Sequence, residues 1–221
     1  MDDTPGPLAL VGGGEWQAGC SFDAGLMAAS GTDQVLILPT AAAYEHPERQ
    51  VLRAASWFDH LGATVEGLMV LSRSDAEDEG AAAVLRGARF IYLCGSSPMH
   101  VRSVLKNSAA WEAVVAASSG AAMALTDPMV DARGGGLTIG LGLVEGLAAV
   151  PHFGDTHEDE HGEKLHRSVL LAPAGTPVAG IPERTALIRH PDGLWRSEVD
   201  GEVTVFLDGA RAAAGLAALP A

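Results

Sequence analysis

Short apolar runs alternate with helix-like segments along the first half of the chain. Each run ends near glycine, proline or serine, which is typical of strands buried on both faces of a parallel sheet. The runs are residues 8–11, 35–38, 64–71, 89–94 and 114–116. This alternation predicts an α/β fold, a doubly wound and mostly parallel sheet flanked by helices in three layers.

The segments between the runs have helical character, and the last part of the chain returns to strands. The predicted helices are residues 23–29, 47–61, 81–85 and 99–105. Ser74 and Asp75 are the expected cap of the third helix. The later predicted strands are residues 148–150, 178–183, 185–188, 194–196 and 203–207, of which the last three form a C-terminal β-meander. We expect residues 1–221 to form a single domain, with a loosely ordered tail from about residue 210.

Charge and composition exclude several classes of partner. The formal net charge of −14 argues against binding to nucleic acid or to anionic membranes. No apolar run approaches the ~20 residues that span a bilayer. The acidic start of the chain and its two cysteines, Cys20 and Cys94, indicate a cytoplasmic protein with reduced thiols. The sequence is compatible with a homodimer.

The segment at residues 111–129 has the parts of a nucleophile elbow: an apolar run, a turn of very small residues and a helix-like continuation. Ser119 lies at the tip of the turn. Alanines 117 and 121 stand where the usual Gly-x-Ser-x-Gly pattern has glycine. Taken alone, the segment favours an alanine-rich helix that begins at a serine N-cap, Ser118 or Ser119.

Loops that follow parallel strands meet at one edge of a sheet, where ligands of such folds bind. We therefore expect several small or polar residues at that edge to form a ligand site together with Ser119. They are Gly13, Gly14, Thr40, Gly95, Ser96 and Ser97.

A serine nucleophile needs a base and a group that orients the base. His152 is the best candidate base because it follows a strand-like run and lies two residues before Gly154. Glu183, Asp131 and Asp155 are alternative orienting acids. A surface or core histidine without a catalytic role is the competing interpretation of His152.

Two other chemistries are weaker. His157 and His161 are four residues apart in a segment that reads HEDEH, which fits the HExxH spacing, but acidic residues fill the gap and a solvated acidic loop is favoured over zinc. Cys94 ends an apolar run, where thiols are usually inert. We predict no metal and no cofactor.

Taken together, these features resemble the serine hydrolases typified by dipeptidase E and cyanophycinase, which have the class I glutamine amidotransferase-like, flavodoxin-like fold. The resemblance covers most of the chain to about residue 189. Its motifs are LVGGGE, ILPTAA, LCGSSPMHVRSVL, ASSGAAMALTDPMVDARGG, GLGLV, VPHF and GIPERTAL.

The resemblance implies a triad and an acyl-enzyme. Ser119 corresponds to the nucleophile and His152 to the base. Glu183 corresponds to the acid of cyanophycinase-like members, whereas Asp131 is the nearest match to the acid of dipeptidase E-like members.

The resemblance also implies how a substrate would bind. The backbones of Gly95 and Gly120 correspond to the oxyanion donors. Family members cleave dipeptides or isopeptides that carry an aspartyl residue, and Arg167 is the expected partner of the substrate carboxylate.

Two further hypotheses remain. The elbow reads Ala-Ser-Ser-Gly-Ala-Ala and lacks its first glycine, which would suit a catalytically inactive relative that binds a small ligand in the same pocket. A glutamine amidotransferase-type subunit is disfavoured because serine, not cysteine, stands at the elbow.

Overall fold

A computed structural model describes residues 6–114, 122–131, 133–154, 160–198 and 201–221. The chain divides into two compact units. The first unit comprises Met1–Leu8 and Trp16–Ala121, and the second comprises Ala9–Glu15 and Ala122–Ala221. Within the described ranges, no helix is both long enough and apolar enough to cross a membrane.

Fourteen strands and eight α-helices lie in the described part of the chain. The strands are β1 (Leu8–Val11), β2 (Gln34–Leu38), β3 (Thr64–Gly67), β4 (Ile91–Leu93), β5 (Thr126–Asp127), β6 (Met129–Val130), β7 (Leu137–Thr138), β8 (Val144–Glu145), β9 (Ala148–Pro151), β10 (Val178–Ile181), β11 (Ala186–Arg189), β12 (Trp195–Glu198), β13 (Thr204–Leu207) and β14 (Ala210–Arg211). The helices are α1 (Phe22–Ser30), α2 (Pro47–His60), α3 (Arg73–Ala76), α4 (Glu79–Gly87), α5 (Pro98–Leu105), α6 (Ala109–Val114), α7 (Ala122–Leu125) and α8 (Glu160–Leu171).

The first unit is built on a three-stranded parallel sheet in the order β3-β2-β4. Its register aligns Leu36 with Ile91 on one side and Gln34 with Thr64 on the other. The parallel strands flanked by helices confirm the predicted α/β class. In this unit, the carboxyl ends of β2 and β4 lead into the loops that carry Thr40 and Gly95.

An aromatic cluster fills the core of the first unit. Phe58 of α2 meets Phe90 and Tyr92 with ring centroids 6.0 and 6.3 Å apart, and all three rings are buried. Phe58 and Ala54 are four residues apart, so they share the buried face of α2. This packing holds α2 against the sheet.

The predicted cap of the third helix is wrong, because two helices replace one. Ser72 caps the short helix α3 in a capping box with Asp75, whereas Asp78 accepts a hydrogen bond from the Ala81 amide (2.8 Å) and starts α4. In the sequence alone, Asp75 and Asp78 are both suitable as the N-terminal cap of one helix.

The predicted strand at 114–116 is also wrong at its first residue. Val114 ends α6, and the Ser108 hydroxyl accepts a hydrogen bond from the Trp111 amide (3.1 Å) at the start of that helix. Alanines at 109, 110 and 113 favour a helix over a strand. Residues 115–121, which include Ser119 and Gly120, lie outside the described residues.

Two sheets organise the second unit. One has the order β1-β11-β12, and the other has the order β14-β13-β10-β9. In the latter, β9 and β10 are parallel, whereas β10 and β13 are antiparallel. The predicted C-terminal strands are present as the hairpins β11–β12 and β13–β14, which belong to different sheets.

The end of the chain packs within the second unit. After β14, a 3₁₀ turn spans Gly215–Ala218, and the Trp195 indole Nε1 donates a hydrogen bond to the Pro220 carbonyl at 2.5 Å. This bond attaches to β12 a segment that we expected to be loosely ordered.

Candidate active site

A glycine turn at the end of β1 forms the base of the site in the second unit. A methyl group added at Gly12 would lie 1.9 Å from the Pro182 carbonyl oxygen, and one added at Gly13 would lie 2.2 Å from His152 Cε1. Gly13 also has a φ of +107°, which residues with a side chain rarely adopt. Only glycine therefore allows the turn to approach the imidazole this closely.

His152 follows β9 directly and is held by its own backbone. Its amide donates to the Gly12 carbonyl at 2.7 Å, and the next amide, of Phe153, donates to the Ile181 carbonyl at 3.1 Å. Its φ of +57° lies in the left-handed region, which costs a non-glycine residue free energy. Strained residues of this kind cluster at functional sites.

The imidazole of His152 bonds to a carboxylate. Its Nδ1 lies 3.0 Å from Oε1 of Glu183, and the two side chains are 46% and 38% exposed. When Nδ1 carries the proton and donates it to Glu183, the lone pair of Nε2 is free to accept a proton. This is the arrangement of a general base with its orienting acid.

Glu183 is fixed by the same glycine turn that supports His152. The amide of its neighbour Arg184 donates to the Gly13 carbonyl at 2.8 Å, and the Gly12 amide donates to the Thr185 carbonyl at 3.0 Å. His152 and the segment that carries Glu183 are thus both attached to one loop by backbone hydrogen bonds.

The other two candidate acids are placed differently. Asp131 accepts hydrogen bonds from Nε and Nη2 of Arg133 at 3.0 and 2.8 Å, and chiefly this side-chain hydrogen bond lowers the pKa of its carboxyl group. Its carboxylate therefore closes the turn after β6. Asp155 lies outside the described residues.

In the first unit, the loop after β4 packs on the loop after β2. Gly95 has a φ of +118°, and a methyl group added there would lie 2.2 Å from the Ala42 amide nitrogen. The Ser97 amide donates to the Ala41 carbonyl at 3.0 Å, and the Ser96 hydroxyl donates to Oε1 of Glu45. Glycine is thus required at 95 by close backbone contact.

Three further predicted site residues have distinct environments. Thr40 is fully buried, and its hydroxyl donates to the Val70 carbonyl at 2.7 Å, so it supports the fold. Gly14 continues the glycine turn with a φ of +63°. Arg167 is exposed on α8, one residue before the buried Ser168.

The two alternative chemistries involve Cys94 and the pair His157 and His161. Cys94 is buried at the end of β4, as expected of an inert thiol. Within the described ranges, no group of three or more His, Cys, Asp and Glu side chains could hold a metal ion. His157 lies outside those ranges.

Comparison with solved structures adds an independent observation. The first similar structure is of a peptidase. It comes from an acI-B1 actinobacterium, is 26% identical to this chain, covers 94% of this chain and 93% of its own, and superposes with a TM-score of 0.81. The second is of a provisionally named peptidase E protein from Listeria monocytogenes EGD-e, at 15% identity and a TM-score of 0.65, covering 89% of this chain and all of its own.

The second of these similarities concerns the fold alone, and both extend along nearly the whole chain. No family model matches the chain, and no curated protein does. The α/β fold of named peptidases is thus established for this chain, as the strand–helix alternation predicts.

Tyr44 and Glu45 are two residues of this region that the sequence motifs did not single out. Both follow the Thr40–Ala42 3₁₀ turn and are exposed. No spacing or motif distinguishes them, because their relation to Ser96 and His100 depends on contacts between residues about 50 positions apart in sequence. The ILPTAA motif that precedes them was the available signal.

Proposed function

We propose that this protein is a serine peptidase that hydrolyses a small peptide or amide bond. Ser119 is the nucleophile, His152 the general base and Glu183 the acid that orients it. The observation that carries the proposal is the 3.0 Å hydrogen bond between His152 Nδ1 and Glu183 Oε1, supported beneath the ring by Gly13. The similarity in fold to named peptidases supports the same class of activity.

The proposed reaction has two half-reactions. His152 Nε2 takes the proton of the Ser119 hydroxyl as its oxygen attacks the carbonyl carbon, and Glu183 stabilises the imidazolium. The N–H groups of Gly95 and Gly120 donate to the oxyanion. The leaving amine then takes the proton from His152. In the second half-reaction, His152 takes a proton from water as the water oxygen attacks the acyl carbon, and it returns that proton to the Ser119 oxygen as the acid is released.

The substrate class follows from the family resemblance. An aspartyl dipeptide is the first compound to test, with the exposed Arg167 as the proposed partner of its carboxylate. We propose that the protein acts in the cytoplasm, without cofactor, nucleic acid or membrane.

Covalent labelling with a fluorophosphonate, read by intact mass, tests the proposal. We expect one adduct on the wild type, none on Ser119→Ala and a slower reaction with His152→Ala. Ser118→Ala is the matched control and should be labelled like the wild type. A folded wild type that takes up no probe would reject the hydrolase and favour the inactive, ligand-binding relative.

A further inference from the structure

Two loops of the first unit carry a polar cluster that the proposed triad does not use. One loop follows β2 and contains Tyr44 and Glu45, and the other follows β4 and contains Ser96. The strands are adjacent and parallel, so both loops leave the same edge of the sheet. The close contact of Gly95 with the Ala42 backbone holds them together.

The carboxylate of Glu45 is positioned by a hydrogen bond from the loop that follows β4. Its Oε1 accepts the hydrogen bond from the Ser96 hydroxyl, and its own amide donates to the Ala42 carbonyl at 2.8 Å. Among the described residues, no lysine or arginine forms an ion pair with it. A fixed, exposed carboxylate without a cationic partner is suited to bind a positively charged group from a ligand.

An aromatic ring stands beside this carboxylate in sequence. Tyr44 is 85% exposed, yet its ring lies 4.9 Å from that of His100 in an edge-on arrangement. His100 is fixed in turn, because its Nε2 lies 2.9 Å from the Leu71 carbonyl oxygen. Exposed aromatic faces attract ammonium and guanidinium groups, so Tyr44 and Glu45 favour the same kind of ligand.

In the sequence, the cluster is adjacent to the backbone amide that the proposed function assigns to the oxyanion. Ser96 follows Gly95, the proposed oxyanion donor, and consecutive Cα atoms are about 3.8 Å apart. In a peptide, an α-ammonium nitrogen lies roughly 2.5 Å from the carbonyl carbon of its own residue. A substrate whose carbonyl oxygen is bound by Gly95 would therefore carry its α-ammonium nitrogen beside the loop that contains Ser96.

We propose that Glu45, positioned by Ser96 and assisted by Tyr44, binds a cationic nitrogen on the acyl side of the scissile bond. The nitrogen belongs either to the α-ammonium group of an amino-terminal residue or to a lysine or arginine side chain. This inference rests on the proposed function and adds a specificity determinant to it.

Selectivity measurements separate the two sources. The substrates are alanyl, lysyl and arginyl amides of one fluorogenic amine, each with a free and with an acetylated amino group. Glu45→Gln should lower kcat/KM roughly tenfold for the cationic substrates and leave acetyl-alanyl amide unchanged. Loss confined to free amino groups identifies the α-ammonium, and loss that persists in acetylated lysyl and arginyl amides identifies the side chain.

Glu66→Gln, an exposed acid on β3 of the same unit, is the matched control and should leave all six values unchanged. Ser96→Ala should produce a weaker form of the Glu45→Gln effect. An equal loss on all substrates, or no loss on any, would overturn the proposal.

The uncharged fluorophosphonate distinguishes this failure from failure of the proposed function. Normal labelling of Glu45→Gln with unchanged selectivity overturns only the role of Glu45. A wild type that is neither labelled nor active would overturn the proposed peptidase function and, with it, the proposed role of Glu45.

Discussion

His152 combines a left-handed backbone with a partly exposed carboxylate partner, so its orientation depends on Glu183. We expect Glu183→Gln to lower kcat on the order of 10²-fold, because an amide neither fixes the Nδ1-protonated tautomer nor stabilises the imidazolium. Glu198→Gln is the matched control, since Glu198 lies 4.0 Å from a second histidine, His190, in the same unit. Steady-state kinetics checks both variants, and equal activities would contradict the assignment of Glu183.

Gly13 is the second residue whose substitution should lower the activity. Gly13→Ala places a methyl group 2.2 Å from His152 Cε1, so the imidazole must move. We expect on the order of 10²-fold loss of activity, the effect of misplacing a catalytic group by about 1 Å.

Gly62→Ala controls for backbone strain in this experiment. Gly62 also has a positive φ, +79°, but nothing lies within 4 Å of an added methyl group. It should lose roughly 1–2 kcal/mol of stability and keep its activity. If both variants lose activity alike, strain and not the displaced imidazole is responsible.

At the residue scale, the sequence indicates which residue types could serve the chemistry but not which of them form pairs. His152 and Glu183 both lie near strand ends, yet in the sequence Asp131 and Asp155 fit the role of orienting acid equally well. What separates Asp131 is its bonding to Arg133, which depends on the shape of one turn. Thr40 illustrates the same limit, because its polar side chain at a strand end serves the fold.

At the scale of elements, the start of α3 links stability to pH. The Ser72 side chain, followed by the amides of Ser72 and Leu71, lowers the pKa of Asp75 below its ordinary value of 3.8. A carboxylate with a lowered folded-state pKa stabilises the fold above pH 3.8, and this stabilisation is lost as the pH falls through the lower value.

We therefore expect Asp75→Asn to be less stable than the wild type at pH 7, with a difference that shrinks below pH 3.8. Urea unfolding at a series of pH values measures it. Asp59→Asn, which removes an exposed carboxylate near the end of α2 and outside the capping box, is the matched control. A difference that stays constant with pH would show that the capping bonds do not depend on the charge of Asp75.

The elements that sequence predicted best are the buried strands, because continuous apolar runs such as Leu36–Leu38 in β2 have few alternatives. Helix starts were harder, since Ser72, Ser74, Asp75 and Asp78 all suit an N-cap and only backbone geometry selects among them. The predicted strand at 114–116 was wrong at Val114 for a related reason. Ser108 and the alanines after it favour a helix over the strand that a nucleophile elbow requires.

At the scale of the whole molecule, the net charge of −14 is the dominant electrostatic feature. Exposed ion pairs such as Arg86–Glu79 contribute little, so mutual repulsion among carboxylates opposes folding. We expect the melting temperature at pH 7 to rise by a few degrees between 10 and 150 mM NaCl, the shift produced by about 1 kcal/mol in a chain of this length. At pH 4.8, near the isoelectric point, the rise should vanish. A lower melting temperature in salt would mean that ion pairs outweigh the repulsion.

The α/β class could be predicted because strand and helix periods differ along the whole chain. The division into two units could not, because residues 9–15 belong with the second unit although they precede most of the first in sequence. Their place depends on β1 joining β11, a pairing between strands about 175 residues apart.

The glycine turn beneath His152 also provides a spectroscopic handle. Three backbone hydrogen bonds involve that turn. The Gly12 amide donates to the Thr185 carbonyl, and the amides of His152 and Arg184 donate to the carbonyl groups of the turn itself. A displacement of the imidazole alters the geometry of these bonds, to which amide chemical shifts and exchange rates respond. Their NMR signals would report occupancy of the site in Ser119→Ala, which we expect to bind substrate without turning it over.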